Sequence, residues 1–142
     1  MTETFNENQI EQRTWRLKFL NKASEIAKWN EETFPDATSS GQVLKLSEEF
    51  DELQDAIEEG IKTEIEEADC FIVASALSER FFNGLGRFVL YRLIDEMTAG
   101  SEKTAAEYME AIEKKMEINK RRAAEKRWKK MPDGRWKHEG ED

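Results

Sequence analysis

Most of the chain places apolar residues three and four positions apart, which is the period of an amphipathic α-helix. Comparable stretches with the two-residue alternation of a strand are missing. The pattern predicts five helices, over about residues 9–31, 42–59, 63–82, 87–98 and 102–126. We therefore expect an all-α fold, a four-helix-bundle-type core of antiparallel helices, within a single domain that covers residues 1–142.

Turn residues separate the predicted helices. Pro35 begins a loop of Asp, Thr, Ser and Gly that ends at residue 41, and glycines at positions 60, 84, 86 and 100 mark the later breaks. Ser101 is placed to cap helix five. Beyond that helix, residues 127–130 and 135–138 flank a Met-Pro-Asp-Gly turn sequence. This predicts a short β-hairpin that carries Trp128 and Trp136 in a basic C-terminal tail, residues 127–142.

Each predicted helix has an apolar face that should be buried. Helix two illustrates the pattern, since its apolar residues are spaced four, three and four apart. The predicted faces include Ile10, Leu17, Leu20 and Ala27 in helix one; Leu46, Phe50, Leu53 and Ile57 in helix two; Ile65, Ala68, Ile72 and Ala76 in helix three; and Ala105, Tyr108, Ile112, Met116 and Asn119 in helix five.

Four carboxylates in helices two and three form the strongest chemical signal. Glu49 and Glu52 are three residues apart, as are Glu66 and Asp69, and the two pairs mirror each other about residue 59. A chain reversal near Gly60 would bring all four within one helical turn, a rise of about 4.5 Å. Such a group repels itself unless cations are present. Oxygen ligands without histidine favour Mg²⁺, with Mn²⁺ as the alternative, in a metal site between two helices.

Two simpler roles for these acids stay open. Acids three residues apart are common in so acidic a chain, where they usually form a solvated helix face. Lys45 and Lys62 could also supply salt bridges in place of a metal ion. Other metal sites fit less well, because His138 is the only histidine and no zinc or calcium spacing is present.

Charge is distributed unevenly along the 142 residues, whose formal net charge is −9. Residues 1–113 carry −14, whereas residues 114–137 carry +8. Within the basic segment, Lys115, Asn119 and Arg122 share one helix face and Lys120 lies beside it, a set that suits a polyphosphate. The simpler alternative is a solvated basic helix end. A third is a non-catalytic protein that binds nucleic acid or a partner through the basic residues and tryptophans of the tail.

Cys70 is the only cysteine, so an intrachain disulfide is impossible, and we expect it to be a small buried residue. The longest apolar stretch, residues 68–77, is too short to cross a bilayer, and the polar N-terminus lacks a signal-peptide core. These features predict a cytoplasmic protein with no membrane partner.

Several segments resemble one known family, the all-α nucleoside triphosphate pyrophosphatases that include MazG-like proteins. Residues 44–53, Leu-Lys-Leu-Ser-Glu-Glu-Phe-Asp-Glu-Leu, resemble the family's Glu-x-x-Glu motif, and residues 66–69, Glu-Glu-Ala-Asp, resemble its Glu-x-x-Asp motif. Residues 29–34 resemble the Trp-x-x-x-Thr-Phe segment of the branch of dATP/dGTP diphosphohydrolases. Lys115 with residues 118–122, Ile-Asn-Lys-Arg-Arg, resembles that branch's Lys…Ile-Asn-Lys-x-Arg motif.

The resemblance spans about residues 29–128 and has departures. Trp128 comes later than the tryptophan of that branch, and residues 87–100 form an additional helix. Glu67 stands where an aromatic residue is common. Related pyrophosphatases that act on phosphoribosyl-ATP or dUTP share the chemistry and differ in the pocket.

The resemblance implies Mg²⁺-dependent cleavage of a (d)NTP, with a purine dNTP (dGTP or dATP) preferred, to the monophosphate and pyrophosphate. It implies that Glu49, Glu52, Glu66 and Asp69 hold two or more Mg²⁺ ions, which neutralise phosphate charge and activate water. Lys115, Asn119, Lys120 and Arg122 would bind the polyphosphate. Glu48 or Glu49 would accept the proton from water.

Trp29 and Phe34 are candidate base-stacking residues; packing of helix one against the bundle is the alternative for both. The resemblance also implies a homo-oligomer, a dimer or a tetramer. Helix four offers apolar residues for such an interface, namely Phe88, Tyr91, Leu93 and Ile94. Nucleic acid is not the expected partner.

Overall fold

The computed structural model describes residues 7–138, and it describes side chains from residue 11 onward. In this part of the chain five α-helices precede one hairpin. The helices are α1 (Glu7–Thr33), α2 (Ser39–Glu59), α3 (Glu64–Ser75), α4 (Gly84–Thr98) and α5 (Glu102–Ala124), and α3 continues into a π-helix (Ala76–Arg80). The antiparallel hairpin consists of β1 (Trp128–Lys130) and β2 (Trp136–His138). The predicted all-α fold and its C-terminal hairpin are confirmed.

Helix α3 forms the centre of the fold. All its residues from Glu67 to Ser75 are buried except Asp69, which is half-buried, and burial continues to Ser78 in the π-helix. The helix packs against α1, α2, α4 and α5. A helix that is largely apolar around its circumference is stable only when other elements surround it. Glu67 and Asp69 are therefore the two residues of this central segment whose charge requires a chemical explanation.

The helix boundaries follow from capping groups. Thr38 begins α2, where its Oγ1 accepts a hydrogen bond from Gly41 N at 3.0 Å. Ser101 Oγ accepts from Thr104 N at 3.2 Å, as expected of the cap of α5. Gly60 ends α2 with φ of 71°, a conformation that glycine adopts without strain. Residues 60–63 thus form the predicted reversal between α2 and α3.

The prediction that Gly84 and Gly86 interrupt the chain is wrong. Both lie in the first turn of α4, which Asn83 caps, and the interruption comes earlier, at residues 81–83. A Cβ atom on Gly86 would lie 2.3 Å from Leu77 Cβ. Glycine is needed here because α4 passes close to the π-helix.

Some residues of the predicted apolar faces are exposed. Ile57 is 62% exposed, and Leu17, Ile65 and Phe50 are also exposed. Helix α2 packs mainly against α3 and the π-helix, and its first half also meets the hairpin at Gly41 and Glu48. Its buried face passes through Gly41, Gln42, Leu46, Glu49 and Ala56, so the helix is rotated to bury Glu49 rather than Phe50 and Ile57.

The predicted interface residues of α4 also divide into two groups. Leu93 and Ile94 are buried in the core, whereas Phe88 and Tyr91 are exposed. The four were expected to form one surface stripe, and this expectation is wrong. Measured from the midpoint of 88 and 91, position 93 lies about 170° around the helix and position 94 about 90°, so Leu93 points inward and Ile94 lies at the side, where α4 meets the core. In the described part of the chain, no helix is sufficiently long and apolar to cross a membrane.

Isolated hairpins are marginally stable, and this one is attached to the helices at several points. Lys130 Nζ donates to Asp36 O at 2.9 Å, and Trp128 Nε1 donates to Asn119 O at 3.2 Å. At the hairpin turn, a Cβ atom on Gly41 would lie 2.3 Å from Gly134 O. These contacts hold the hairpin between the start of α2 and the end of α5.

Candidate metal centre and adjoining cavity

Three of the four carboxylates converge between α2 and α3. An oxygen of each of Glu49, Glu52 and Asp69 lies within 4.8 Å of an oxygen of the other two. The short turn at residues 60–63 makes the two helices antiparallel neighbours, as the mirrored spacing predicted. Glu49 is buried, Asp69 is half-buried and Glu52 is exposed, so the group extends from the core to the surface. We call these three residues the carboxylate group.

Glu66 does not belong to the carboxylate group. It precedes Asp69 by three residues, which rotates it by about 60° around α3 and places it one turn closer to the reversal. Glu67 also faces elsewhere, since Thr63 Oγ1 donates to its Oε2 at 3.1 Å and the Tyr108 hydroxyl bonds to it. Burial raises the pKa of Glu67, and these two hydrogen bonds oppose the increase.

Lysines partly neutralise the carboxylate group. Lys45 Nζ lies 3.4 Å from Glu49 Oε1, and Lys115 Nζ lies 3.3 Å from Asp69 Oδ1. The alternative of a salt bridge from Lys45 is thus present in the structure, whereas exposed Lys62 makes no ion pair with a described residue. Three carboxylates face two ammonium groups, so the ionised group retains a net negative charge.

One buried oxygen of Glu49 has no partner. Its Oε2 is inaccessible to solvent and accepts no hydrogen bond from any described residue. An unpaired buried carboxylate oxygen carries a desolvation cost that a cation would remove. The donors are all oxygens, as Mg²⁺ and Mn²⁺ prefer. The residues present therefore fit a divalent cation.

Burial changes the acidity of two of these groups. It raises the pKa of Glu49 to about 8, the charge of Asp69 adds to this increase, and Lys45 opposes it. Burial also raises the pKa of Asp69 to about 6, and Lys115 opposes that increase. A bound cation would reverse both shifts because it stabilises the ionised carboxylates.

A cavity of about 420 Å³ adjoins the carboxylate group. This volume lies in the range of small-molecule sites. Charged and polar residues of α2, α3 and α5 line one part of it, and aromatic residues of α1 and the hairpin line another. The lining residues are Trp29, Asn30, Phe34, Gln42, Lys45, Glu49, Glu52, Asp69, Ile72, Val73, Lys115, Asn119, Arg122, Trp128, Trp136 and His138.

Four aromatic side chains, Trp29, Phe34, Trp128 and Trp136, form what we call the aromatic wall. Phe34 is at its centre, with its ring centroid 5.5 Å from those of Trp29 and Trp128 and 4.9 Å from that of Trp136. Trp29 also packs against the helical core, which is the alternative predicted for it, whereas Phe34 packs against the tryptophans of the hairpin. The wall nevertheless borders the cavity, where an aromatic face can stack on a planar ligand.

Most of the residues predicted for a nucleotide site line this one cavity. Glu48, Glu66 and Lys120 do not. Lys120 is exposed on α5. Glu48 instead holds the hairpin, since it forms ion pairs with Arg135, with Lys137 at 3.1 Å and with Lys45 at 3.6 Å.

The prediction from sequence missed Asn30, Gln42 and the place of the hairpin. Trp128 and Trp136 had been assigned only to a basic tail, yet both line the cavity. Their spacing from Phe34, about 100 residues away, contains no signal of this contact. The Gly41 and Asp133-Gly134 turn signals were visible, but their contact depends on the tertiary fold.

Comparison of the chain with protein-family models, curated proteins and solved structures gave no match.

Proposed function

We propose that this protein is a Mg²⁺-dependent nucleoside triphosphate pyrophosphohydrolase that converts a (d)NTP to the monophosphate and pyrophosphate. One observation carries the proposal: a carboxylate group, a basic helix face and an aromatic wall line the same cavity. These parts correspond to the cation, the polyphosphate and the base of such a substrate. The family resemblance supplies the bond that is cleaved, between the α and β phosphates, and the preference for purine dNTPs.

Glu49, Glu52 and Asp69 would hold Mg²⁺, and Glu49 Oε2 is the atom that most needs a cation. Bound Mg²⁺ supplies Lewis-acid chemistry, which neutralises phosphate charge and makes water more nucleophilic. Glu66 has no part in this proposal because its carboxylate lies outside the group. The resemblance implies two or more ions, a number that metal titration would measure.

Lys115, Asn119 and Arg122 would bind the polyphosphate. They lie at positions i, i+4 and i+7 of α5, and all three line the cavity. Lys115 already forms an ion pair with Asp69, so its ammonium group can bridge this carboxylate and a phosphate oxygen of the substrate. Charged donors fixed in this way stabilise the negative charge that develops as the phosphate bond breaks.

Of the two acids predicted to accept the proton from water, Glu49 is the better supported. It lines the cavity and lies in the carboxylate group, next to the water that a bound cation would activate. Glu48 is outside the lining and is paired with Lys45 and two residues of the hairpin.

The alternative of a nucleic-acid-binding tail receives less support from the contacts. Arg135 and Lys137 pair with Glu48, and Trp128 and Trp136 line the cavity. These residues would have to leave their present partners before they could bind a strand.

We also propose a homo-oligomer, a dimer or a tetramer, which assembles through α4. Leu85, Phe88 and Tyr91 are 52%, 66% and 41% exposed and recur every three residues on one face of the helix. Because nucleoside triphosphates are the proposed substrates, we expect the protein to act in the cytoplasm.

The test is to incubate the protein with each of the four dNTPs and Mg²⁺ and to separate the products by ion-exchange chromatography. The wild-type protein should release monophosphate and pyrophosphate in equal amounts, whereas Glu49→Ala and Asp69→Ala should lose at least about 100-fold in rate. Asp51→Asn is the matched control, because Asp51 is an exposed acid of the same helix. Full activity in either alanine variant would contradict the proposal.

A further inference from the structure

Arg80 binds the C-terminal end of α1 from the π-helix that follows α3. Its Nη1 donates to Asn30 Oδ1 at 2.7 Å, to Phe34 O at 3.0 Å and to Asn30 O at 3.2 Å. Its Nη2 donates to Pro35 O at 3.2 Å. One guanidinium therefore fixes both the last turn of the helix and the Asn30 side chain. Short π-helices are often found at functional sites.

The bond to Oδ1 determines which end of the Asn30 amide is available. An asparagine amide offers an oxygen that accepts and a nitrogen that donates. Arg80 can only donate, so the amide oxygen must face it and the nitrogen must face away. Asn30 is only 8% exposed, it lines the cavity, and its Nδ2 has no hydrogen-bond partner in the described part of the chain. Asn30 thus presents a fixed donor to the cavity.

Trp136, which belongs to the aromatic wall, has an unpaired N–H as well. Its Nε1 is buried and forms no hydrogen bond with any described residue. The Trp136 ring lies 4.9 Å from Phe34, and Phe34 N bonds to Asn30 O at 2.8 Å, one helical turn away. Because the indole nitrogen is inaccessible to water, its N–H is not presented to a ligand in the cavity, and Asn30 is the donor from which base selection follows.

The other amides of the cavity are not fixed in this way. The side chains of Gln42 and Asn119 are buried and make no hydrogen bond to a described residue. Either amide can rotate by 180° to present its oxygen or its nitrogen. Asn30 is therefore the amide of the cavity whose orientation is fixed, and it presents its N–H to the cavity.

We propose that this cavity selects bases that carry a carbonyl group over bases that carry an amino group at the same ring position. Arg80 is the positioning residue, because it orients the Asn30 amide with its nitrogen towards the cavity. The inference rests on the proposed function, whose substrate class it narrows. Guanine and hypoxanthine present O6 to a donor, whereas adenine presents an N6 amino group that also donates. Two opposed donors leave a buried polar group unpaired, which disfavours adenine. The same rule favours uracil over cytosine.

The experiment measures kcat/KM of the full-length protein for dGTP, dITP, dATP, dUTP and dCTP in the presence of Mg²⁺. We expect dGTP and dITP to agree within about threefold and to exceed dATP by about 10- to 100-fold. The value for dUTP should exceed that for dCTP by a similar factor. Comparing the carbonyl and amino bases within each ring size removes the effect of ring size on binding.

Two variants test the positioning role of Arg80. Asn30→Asp replaces the donor by an oxygen that accepts, so the ratio of dGTP to dATP should fall at least about tenfold. Arg80→Met frees the Asn30 amide to rotate and should bring the ratio close to one. Arg87→Met, at an exposed position of α4, should retain the wild-type ratio. A ratio measured on one variant is unaffected by partial misfolding, which lowers both rates equally.

Three results would overturn the inference. Equal rates with carbonyl and amino bases would remove it and leave the proposed function intact. A large advantage of dGTP over dITP would show that the 2-amino group, and not O6, is recognised. If the protein cleaved no triphosphate, the proposed function would fail, and calorimetry with dGMP, dIMP and dAMP would test base selection alone. Failure to bind any of these monophosphates would overturn both.

Discussion

Replacing Glu49 by glutamine should stabilise the metal-free protein at alkaline pH. The folded-state pKa of Glu49 is raised from 4.5 to about 8, so the carboxyl group is protonated in the native state until the pH approaches that value. Between the pKa of the unfolded state and that of the folded state, the native protein keeps a proton that the unfolded chain has released. The stability that this proton contributes is complete below the unfolded pKa and is lost as the pH rises to the folded pKa. Metal-free wild-type protein should therefore lose stability between about pH 4.5 and pH 8.

The size of the effect follows from the shift. A difference of about 3.5 pKa units corresponds to about 5 kcal/mol at full ionisation, of which about 4 kcal/mol falls between pH 5 and pH 9. Glu49→Gln keeps the shape of the side chain and cannot ionise, so it should lack this loss. For a protein of this size, 4 kcal/mol corresponds to about 8 to 16 °C in Tm.

The assay is urea unfolding in EDTA at pH 5 and pH 9, followed by circular dichroism. Glu49→Gln should gain about 3 to 4 kcal/mol over the wild-type protein on going from pH 5 to pH 9. Glu58→Gln, at an exposed position of the same helix, should show no such gain. Adding Mg²⁺ at pH 8 should raise the Tm of the wild-type protein and have little effect on Glu49→Gln, because a ligand stabilises only the state that binds it. Parallel pH dependence of the two proteins in EDTA would refute the argument.

The remaining predictions concern the polyphosphate face, the hairpin and assembly. Lys115→Met should leave Asp69 without its ion pair and lower kcat at least about 100-fold in a steady-state assay, and an unchanged kcat would contradict the role of Lys115. Gly41→Ala should displace the hairpin and raise KM at least about tenfold, as measured by initial rates. Gly84→Ala, where a Cβ atom meets no atom within 4 Å, is its control. Phe88→Asp should reduce the mass measured by light scattering to that of a smaller species, while a wild-type monomer would contradict the proposed oligomer.

Much of the fold could be predicted because it depends on local signals. Helical periodicity, the cap at Ser101 and the Gly60 turn predicted five helices and the reversal between α2 and α3, whereas the cap at Thr38, which starts α2 at Ser39, was missed. The rotation of each helix could not be predicted as well. Phe50 and Ile57 continue an apolar stripe, yet α2 turns Glu49 and not this stripe towards α3.

The candidate site shows the same division between local and long-range information. The carboxylate group and the basic face were visible as short spacings within single helices. Asn30 and Trp136 were not, because their roles depend on Arg80 and on the hairpin, which contact them from distant parts of the chain. Glu66 has the same three-residue spacing from Asp69 as Glu52 has from Glu49, yet only Glu52 joins the carboxylate group, so spacing alone does not decide membership.

The most direct test of the central claim is a ³¹P NMR time course of dGTP with the protein and Mg²⁺. The account predicts resonances of dGMP and pyrophosphate that grow at equal rates, that stop growing when EDTA is added and that are absent with Asp69→Asn. Release of orthophosphate, continued turnover in EDTA, or unchanged dGTP under conditions in which the folded protein binds Mg²⁺ would contradict it.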